Sequence, residues 1–224
     1  MQIVVLGQST GRQKKRRASR WRSGYAIAKR TLDVGASSAT LLVFAPLMAV
    51  IAAAIAIESR GPIIFRQERL GSRGAPFVMF KFRSMRVAQR DDGPLVTVSG
   101  DQRVTRVGRF LRRHKLDELP QLVNVVRGEM SLVGPRPEVA RYARSYPMEY
   151  ERILSVRPGI VDFAALEFRH EEELLARSTD AEDTYVREVL PAKIHLYFRY
   201  LDEMSMKTDL CLIARTVHAL VGWR

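Results

Sequence analysis

The stretch VGASSATLLVFAPLMAVIAAAIAI, residues 34–57, decides how this chain folds: it runs 24 residues between Asp33 and Glu58 without a charge. As a straight helix rising about 1.5 Å per residue it would extend roughly 36 Å, against a hydrocarbon layer of about 30 Å. It is long enough to cross a membrane, yet two features point to an element that enters and leaves on one side. Pro46 stands near its middle, where the missing N–H and the ring break or kink a helix and push Ala45 away from the α region. The flanks are also equally basic. Lys14, Lys15, Arg16, Arg17, Arg20, Arg22, Lys29 and Arg30 precede the stretch, and Arg60, Arg66, Arg69, Arg73, Lys81, Arg83, Arg86 and Arg90 follow it. A spanning helix leaves its basic excess on the cytoplasmic side only, so symmetric flanks predict that both ends stay cytoplasmic. The expected geometry is a re-entrant helix–break–helix. A soluble core helix rarely runs this far without a charge, and a cleaved signal peptide would start earlier, be shorter and end at small residues rather than at Glu58.

At 224 residues the chain is long enough for one sizeable core rather than two. Its 37 Lys and Arg against 24 Asp and Glu give a formal charge of +13, which points to a polyanionic partner: nucleic acid, anionic lipid or a phosphorylated substrate. A nucleic-acid-binding protein would leave the apolar stretch without a purpose, so no nucleic-acid partner is expected. The single cysteine, Cys211, excludes an internal disulfide and a cysteine-built zinc site. His114, His170, His195 and His218 lack metal-ligand spacing.

Residues 1–24 begin with the apolar run at 3–6 and continue as a basic arm, read as a disordered or lipid-touching tail. After the apolar stretch, Gly61-Pro62 opens a β-like run at 63–67, and the turn residues Gly71 to Gly74 lead into the run at 77–82, which together read as a hairpin. Residues 90–102 read as a loop. From Arg103 the pattern becomes helical, with Val104, Val107 and Leu111 on one stripe and Arg106, Arg109 and Arg113 largely outside it. Beside a membrane segment such a helix suits a headgroup-level position; a solvated surface helix fits the same pattern. Further on, Asp180 is a candidate N-cap for a helix over 181–190, Pro191 interrupts, and Leu210, Ile213, Ala214, Val217 and Val221 mark a last amphipathic helix.

Residues 112–137, RRHKLDELPQLVNVVRGEMSLVGPRP, carry the chemistry. Asp117-Glu118 precede Leu119-Pro120-Gln121, and proline is tolerated in a first helical turn, so the two carboxylates are expected at a helix N-terminus. One reading makes Asp117 an N-cap and Glu118 a compensator of the helix dipole. The other notes that neighbouring helical positions are about 100° apart, from 3.6 residues per turn, so the pair divides labour. One carboxylate would be nucleophile or metal ligand, and the other would orient or shuttle a proton. Arg112, Arg136 in the stiff Gly134-Pro135-Arg136-Pro137 loop, and Arg157 beside Pro158-Gly159 supply guanidinium forks suited to phosphate. Lys81 and Arg83 are further, weaker candidates.

These blocks together resemble the bacterial sugar transferases, the polyprenyl-phosphate monotopic phosphoglycosyl transferases. The matching residues are Lys29-Arg30-Thr31-Leu32-Asp33; Gly61-Pro62 with Phe65-Arg66-Gln67; Met79 to Met85 (MFKFRSM); Leu116 to Asn124 (LDELPQLVN); Gly128 to Pro137 (GEMSLVGPRP); and Arg157-Pro158-Gly159-Ile160. They follow the family's order over more than half of the chain. The resemblance implies transfer of a sugar 1-phosphate from a UDP-sugar to polyprenyl (undecaprenyl) phosphate, with Asp117 as a nucleophile that forms an aspartyl-phosphosugar and Glu118 assisting. It also implies Mg²⁺ near Asp117, Arg112 near the dyad, and Pro46 as the break of the membrane helix. The site would lie on the cytoplasmic face of the bacterial inner membrane. A membrane-anchored, non-catalytic scaffold of the same family is the alternative. Larger members carry a multi-span N-terminal region that is absent here, so the resemblance is to the minimal catalytic form. Two departures stand out. Many members continue after Arg-Pro-Gly-Ile with a TGLAQVNGR-like run, where this chain reads VDFAALEFR at 161–169, which leaves the sugar open. Ala45 replaces the serine often found before the membrane proline.

The expected fold is thus mainly α with a small β-hairpin (α+β). A basic arm over 1–28, a re-entrant membrane helix over 29–60 and a cytosolic catalytic domain over 61–224 make up the chain, with amphipathic helices at the interface.

Overall fold

The computed structural model describes the backbone of residues 9–86 and 96–222, and the side chains of 24–86, 96–220 and 222. The apolar run at 3–6 and the first part of the expected loop, through residue 95, lie outside the described residues. Helix α1 (Ser9–Glu58) is followed by strands β1 (Ile64–Leu70) and β2 (Pro76–Phe82), which form the expected antiparallel hairpin with Phe65 opposite Lys81 and Arg66 opposite Phe80. Next come α2 (Arg106–Arg113), a 3₁₀ turn (Leu116–Glu118), α3 (Gln121–Arg127), β3 (Ser131–Val133), α4 (Ala140–Ala143), α5 (Pro147–Ile153) and β4 (Gly159–Val161). The chain ends with α6 (Phe163–Glu167), α7 (Glu171–Leu175), α8 (Ala181–Thr184), α9 (Leu190–Glu203) and α10 (Met206–Val221).

Helix α1 departs from the expectation in two ways. It is already helical at Ser9, so the part of the basic arm that is described is an extension of the helix rather than a tail. It also keeps its helical assignment through Pro46, so the expected break is not a break in secondary structure. A proline removes one hydrogen bond and crowds one carbonyl, and the turns on either side can stay helical around it. Only 11 % of the most apolar part of α1 is covered by the rest of the chain, which separates it from a soluble core helix. Leu42, Val43, Phe44, Leu47 and Val50 are all exposed.

Both ends of this apolar stretch are nevertheless fastened to the same body. On the N-terminal side, Arg30 donates from Nη1 to the Val125 carbonyl (2.6 Å) and from Nη2 to the Val126 carbonyl (2.8 Å), at the C-terminus of α3. Asp33, 2 % exposed, accepts from Ser131 Oγ (2.8 Å) and the Leu132 amide (3.0 Å) on β3. Tyr25 and Lys29 both donate to buried Asp209 of α10. On the C-terminal side, Ile51 and Ile55 pack with Phe82 and Leu111. Glu58 accepts from the Arg106 and Val107 amides (2.7 and 3.0 Å), so the end of α1 caps the start of α2.

Strands β3 and β4 pair in parallel, Ser131 with Gly159 and Val133 with Val161, a second small sheet that the alternation of so few residues did not announce. It brings the Gly134-Pro135-Arg136 loop against Arg157-Pro158-Gly159. A Cβ on Gly159 would lie 2.1 Å from the Gly134 amide nitrogen and 2.5 Å from its carbonyl oxygen, so neither strand end tolerates a side chain. Helix α2 begins at Arg106, three residues later than its pattern suggested, because Thr105 takes the N-cap and accepts from the Gly108 amide (2.9 Å). Asp180 caps α8 as expected, accepting from the Glu182 and Asp183 amides. Pro191 does not interrupt the path: a π turn at Tyr185–Val189 widens the helix ahead of it, and Pro191 sits in the first turn of α9, where a proline fits. On α10 the stripe at Leu210, Ala214 and Val217 faces outward, while Asp209 and Leu212 face the core.

Gly159→Ala is expected to forbid the β3–β4 junction, with a loss on the order of 3 kcal/mol or no recoverable folded protein. Thermal unfolding of the detergent-solubilised variant measures this.

Candidate active site

Lys115, with φ 55 and ψ 19, is one of two non-glycine residues in the left-handed region among the described residues. Holding a lysine there costs about 1–3 kcal/mol. It turns the chain sharply out of α2 into the 3₁₀ turn that carries the two carboxylates. Asp117 and Glu118 therefore precede α3 rather than cap it, and Asp117 does not act as its N-cap: Pro120 holds that position, without a side-chain bond.

The two neighbours face opposite electrostatic surroundings. Glu118 receives the Arg136 fork, with Nη1 donating to Oε2 at 3.1 Å and Nη2 donating to Oε1, and the Lys81 ammonium lies 3.3 Å from Oε1. Burial alone would raise its pKa, but Arg136 and then Lys81 outweigh burial and hold the carboxyl well below the usual range. Asp117 is 6 % exposed, and its Oδ1 is buried without a hydrogen-bond partner. Burial first, then the Glu118 charge, push its pKa up, against the weaker pull of Lys81, Arg112 and Lys115. Burial likewise lowers the Lys81 pKa, partly offset by Glu118. Arg136 is driven the other way: burial disfavours its charge, but contact with Glu118 more than compensates and raises its pKa. One carboxylate is saturated by cations and fixed, while the other keeps a free oxygen beside them. Such a pair can divide into an organiser and a nucleophile.

The other expected site residues separate. Arg136 is seated twice, through its fork and through its amide, which donates to Asp162 Oδ2 (2.8 Å). Arg112 contributes to the field at Asp117 and is held by Glu172. Arg157 is exposed, its carbonyl lies close to Gly134, and it has no ion-pair partner among the described residues. Arg83 turns away from the dyad. Its Nη2 donates to the Ser59 carbonyl (2.6 Å) and Ser59 Oγ (2.9 Å), and the residue closes the C-terminal end of α1, where a cation suits the helix dipole. Asp117 is the one oxygen ligand the dyad offers a metal, since Glu118 is engaged by cations. No cluster of three or more His, Cys, Asp or Glu among the described residues is arranged as a metal cage. The unpartnered Asp117 Oδ1 is the oxygen that would hold a Mg²⁺ together with substrate phosphates.

Several supporting residues went unread in the sequence. Asp162, 1 % exposed, holds the Arg136 amide and caps α6 through Ala165. Asn124 accepts from the Phe80 amide and donates to the Val78 carbonyl, locking α3 to the hairpin that delivers Lys81. Gln121 is fully buried one turn beyond Asp117, with neither amide atom hydrogen-bonded. A signal for Asn124 and Gln121 existed, because both fall inside LDELPQLVN. None existed for Asp162, which lies in the departing segment. A cleft of about 730 Å³, lined by Arg66, Phe77, Val78, Phe80, Arg127 and Glu129, includes Phe80 and not Lys81, its neighbour on β2 that meets Glu118. None of Asp117, Glu118, Lys81 and Arg136 lines it, so this cleft is not the space at the dyad.

The family model described as bacterial sugar transferase matches residues 24–222. The UDP-glucose:undecaprenyl-phosphate glucose-1-phosphate transferase of Caulobacter vibrioides is 41 % identical over 200 residues, covering 87 % of this chain and 70 % of that protein. The UDP-N-acetylgalactosamine-undecaprenyl-phosphate N-acetylgalactosaminephosphotransferase of Aeromonas hydrophila is 36 % identical over 201 residues, 88 % of this chain but 44 % of that protein. The exopolysaccharide production protein PSS of Rhizobium leguminosarum bv. phaseoli is 39 % identical over 202 residues, 85 % of this chain and 94 % of its own. This chain thus spans nearly all of one relative and less than half of another.

Because the raised Asp117 pKa means that the folded protein binds this proton more tightly than the unfolded chain, the resulting stability is present in acid and lost as pH rises through the raised value. Asp117→Asn, permanently neutral, is expected to melt higher than the native protein at neutral pH. The gap should shrink as pH falls towards about 4, the ordinary aspartate range. Calorimetry across that pH interval checks the sign.

Proposed function

The chain belongs to the bacterial sugar transferases, and on that premise we propose that it moves a sugar 1-phosphate from a UDP-sugar to undecaprenyl phosphate at the membrane surface. The observation that carries this reading is the asymmetry of the dyad: Glu118 locked by Arg136 and Lys81, Asp117 buried with an oxygen free. In the first half-reaction an Asp117 oxygen attacks the β-phosphorus of the UDP-sugar. A phosphorus–oxygen bond to the aspartate forms, and the bond to the leaving UMP breaks. In the second, an oxygen of polyprenyl phosphate attacks the same phosphorus, the lipid diphosphosugar leaves, and Asp117 is restored. Desolvation makes the Asp117 anion more reactive, and Arg112, Lys81 and Arg136 spread cationic charge around the phosphoryl oxygens. Glu118 keeps Arg136 and Lys81 in place without competing for the phosphorus. Asp117 and the diphosphate would together hold Mg²⁺, which when bound supplies charge neutralisation at the leaving phosphate.

A soluble nucleotide-sugar and a lipid-buried acceptor meet only at the interface, so the dyad has to sit at headgroup height. The fastening of both ends of the apolar stretch to one polar body supports a re-entrant, monotopic α1 on the cytoplasmic face of the inner membrane, turning near Pro46. A spanning helix would need that body, ion pairs included, on both sides of the bilayer or within it. The outward apolar residues of α10 and exposed Phe110 among Arg106, Arg109 and Arg113 on α2 suit the same interface.

Purified protein given a panel of UDP-sugars with undecaprenyl phosphate is expected to release UMP from one of them in the presence of Mg²⁺ and to stop with EDTA. Asp117→Asn should reduce release below detection, and undiminished transfer by that variant would sink the covalent route. For topology, single cysteines at Gly24 and Arg60 in a Cys211→Ser background should both react with an impermeant maleimide only when the cytoplasmic face is open. Labelling from opposite sides would establish a spanning helix.

A further inference from the structure

Arg112 contributes to the field at Asp117, and one edge of its guanidinium is already engaged. Its Nε donates to Oε1 of Glu172 at 3.2 Å and its Nη2 donates to the same oxygen at 2.5 Å, while Nη1 lies 3.5 Å from Ser84 Oγ. A guanidinium is flat and carries five N–H groups in a fixed fork. Taking the Nε–Nη2 edge leaves the other N–H groups in a set direction. The two side chains are 22 % and 42 % exposed, and a pair that open to solvent adds little to stability. It does fix an orientation. Asp101 also lies within the field of Arg112, but its carboxylate is committed to Arg103, 2.6 Å away.

Glu172 is delivered on a held element. Its carbonyl accepts from the Ser99 amide (2.9 Å), Glu171 beside it pairs with Lys193, and Leu175 of the same helix is buried in the core. An acidic side chain beside a diphosphate-handling site would repel the substrate if it were free. Bound to Arg112, it orients the cation instead.

We infer that Glu172 is a positioning residue for the transfer reaction: it grips Arg112 by the Nε edge and thereby aims the remaining N–H groups at the diphosphate that Asp117 attacks. This rests on the proposed function, with Arg112 as a phosphate contact. The experiment measures kcat and KM for UMP release by the full chain in detergent, using the UDP-sugar that the native protein accepts. Glu172→Ala is expected to lower kcat/KM roughly 10- to 100-fold, as a misaimed contact does, mainly through KM and with an unchanged melting temperature. Glu172→Asp should recover most of the loss, and Glu172→Gln should fall between. In an Arg112→Ala background the Glu172→Ala change should have no further effect. Equal losses in both backgrounds, or an unimpaired Glu172→Ala alongside an impaired Arg112→Ala, would overturn the role of Glu172 alone. An unimpaired Arg112→Ala would instead overturn the reading of Arg112 as a phosphate contact, and this inference with it.

Discussion

The contact between Glu118 and the Arg136 fork, reinforced by Lys81, organises the rest of the site. The pair is part-buried, and losing one side of it would leave the other charge without its partner in a poorly solvated place. Here the three groups come from three separate places: the turn after α2, the loop after β3, and strand β2. Their pairing therefore holds together the hairpin, the dyad turn and the GPRP loop in one arrangement. It also consumes the negative charge of Glu118 locally, so that Asp117, one residue away, is the carboxylate left without a partner on one oxygen. The difference in chemistry between two adjacent acidic residues is produced by what folds against them.

The loop that delivers Arg136 is in turn positioned by the apolar helix. Asp33 holds β3 through Ser131 and Leu132, and the same strand leads straight into Gly134-Pro135-Arg136. Arg30 closes the C-terminus of α3, whose other end follows the dyad. At the far end of the apolar stretch, Glu58 caps α2 and Arg83 caps α1. The membrane-seeking helix thus serves as a structural member of the site as well as its anchor. Two hydrogen bonds to Asp33, one buried and one part-buried, thus tie the strand before Arg136 to the helix.

Large parts of the site and its support were legible in linear order. The length and neutrality of residues 34–57, the hairpin, the Asp180 cap and the Asp117-Glu118 pair all depend on chemistry within a few residues, and local sequence reports that kind of constraint well. The apolar pattern starts three residues before α2 does, because Thr105 takes the cap. Pro191 reads as an interruption in linear order, but a π turn absorbs it. The orientation of α10 was not deducible, since its outward stripe is as apolar as its buried one, and only packing says which side the core takes.

An uncharged segment long enough for a bilayer, ahead of a carboxylate pair embedded in family-ordered blocks, is legible without any fold, because hydrophobic length and motif order are properties of the linear chain. Which carboxylate is free follows from the fold alone. Arg136 and Lys81 lie 18 and 37 residues from Glu118, Asp33 lies 98 from Ser131, and Glu172 lies 60 from Arg112. Periodicity and capping act over a turn or two, whereas the charge state of a buried acid depends on whichever distant cation the fold brings within hydrogen-bonding reach.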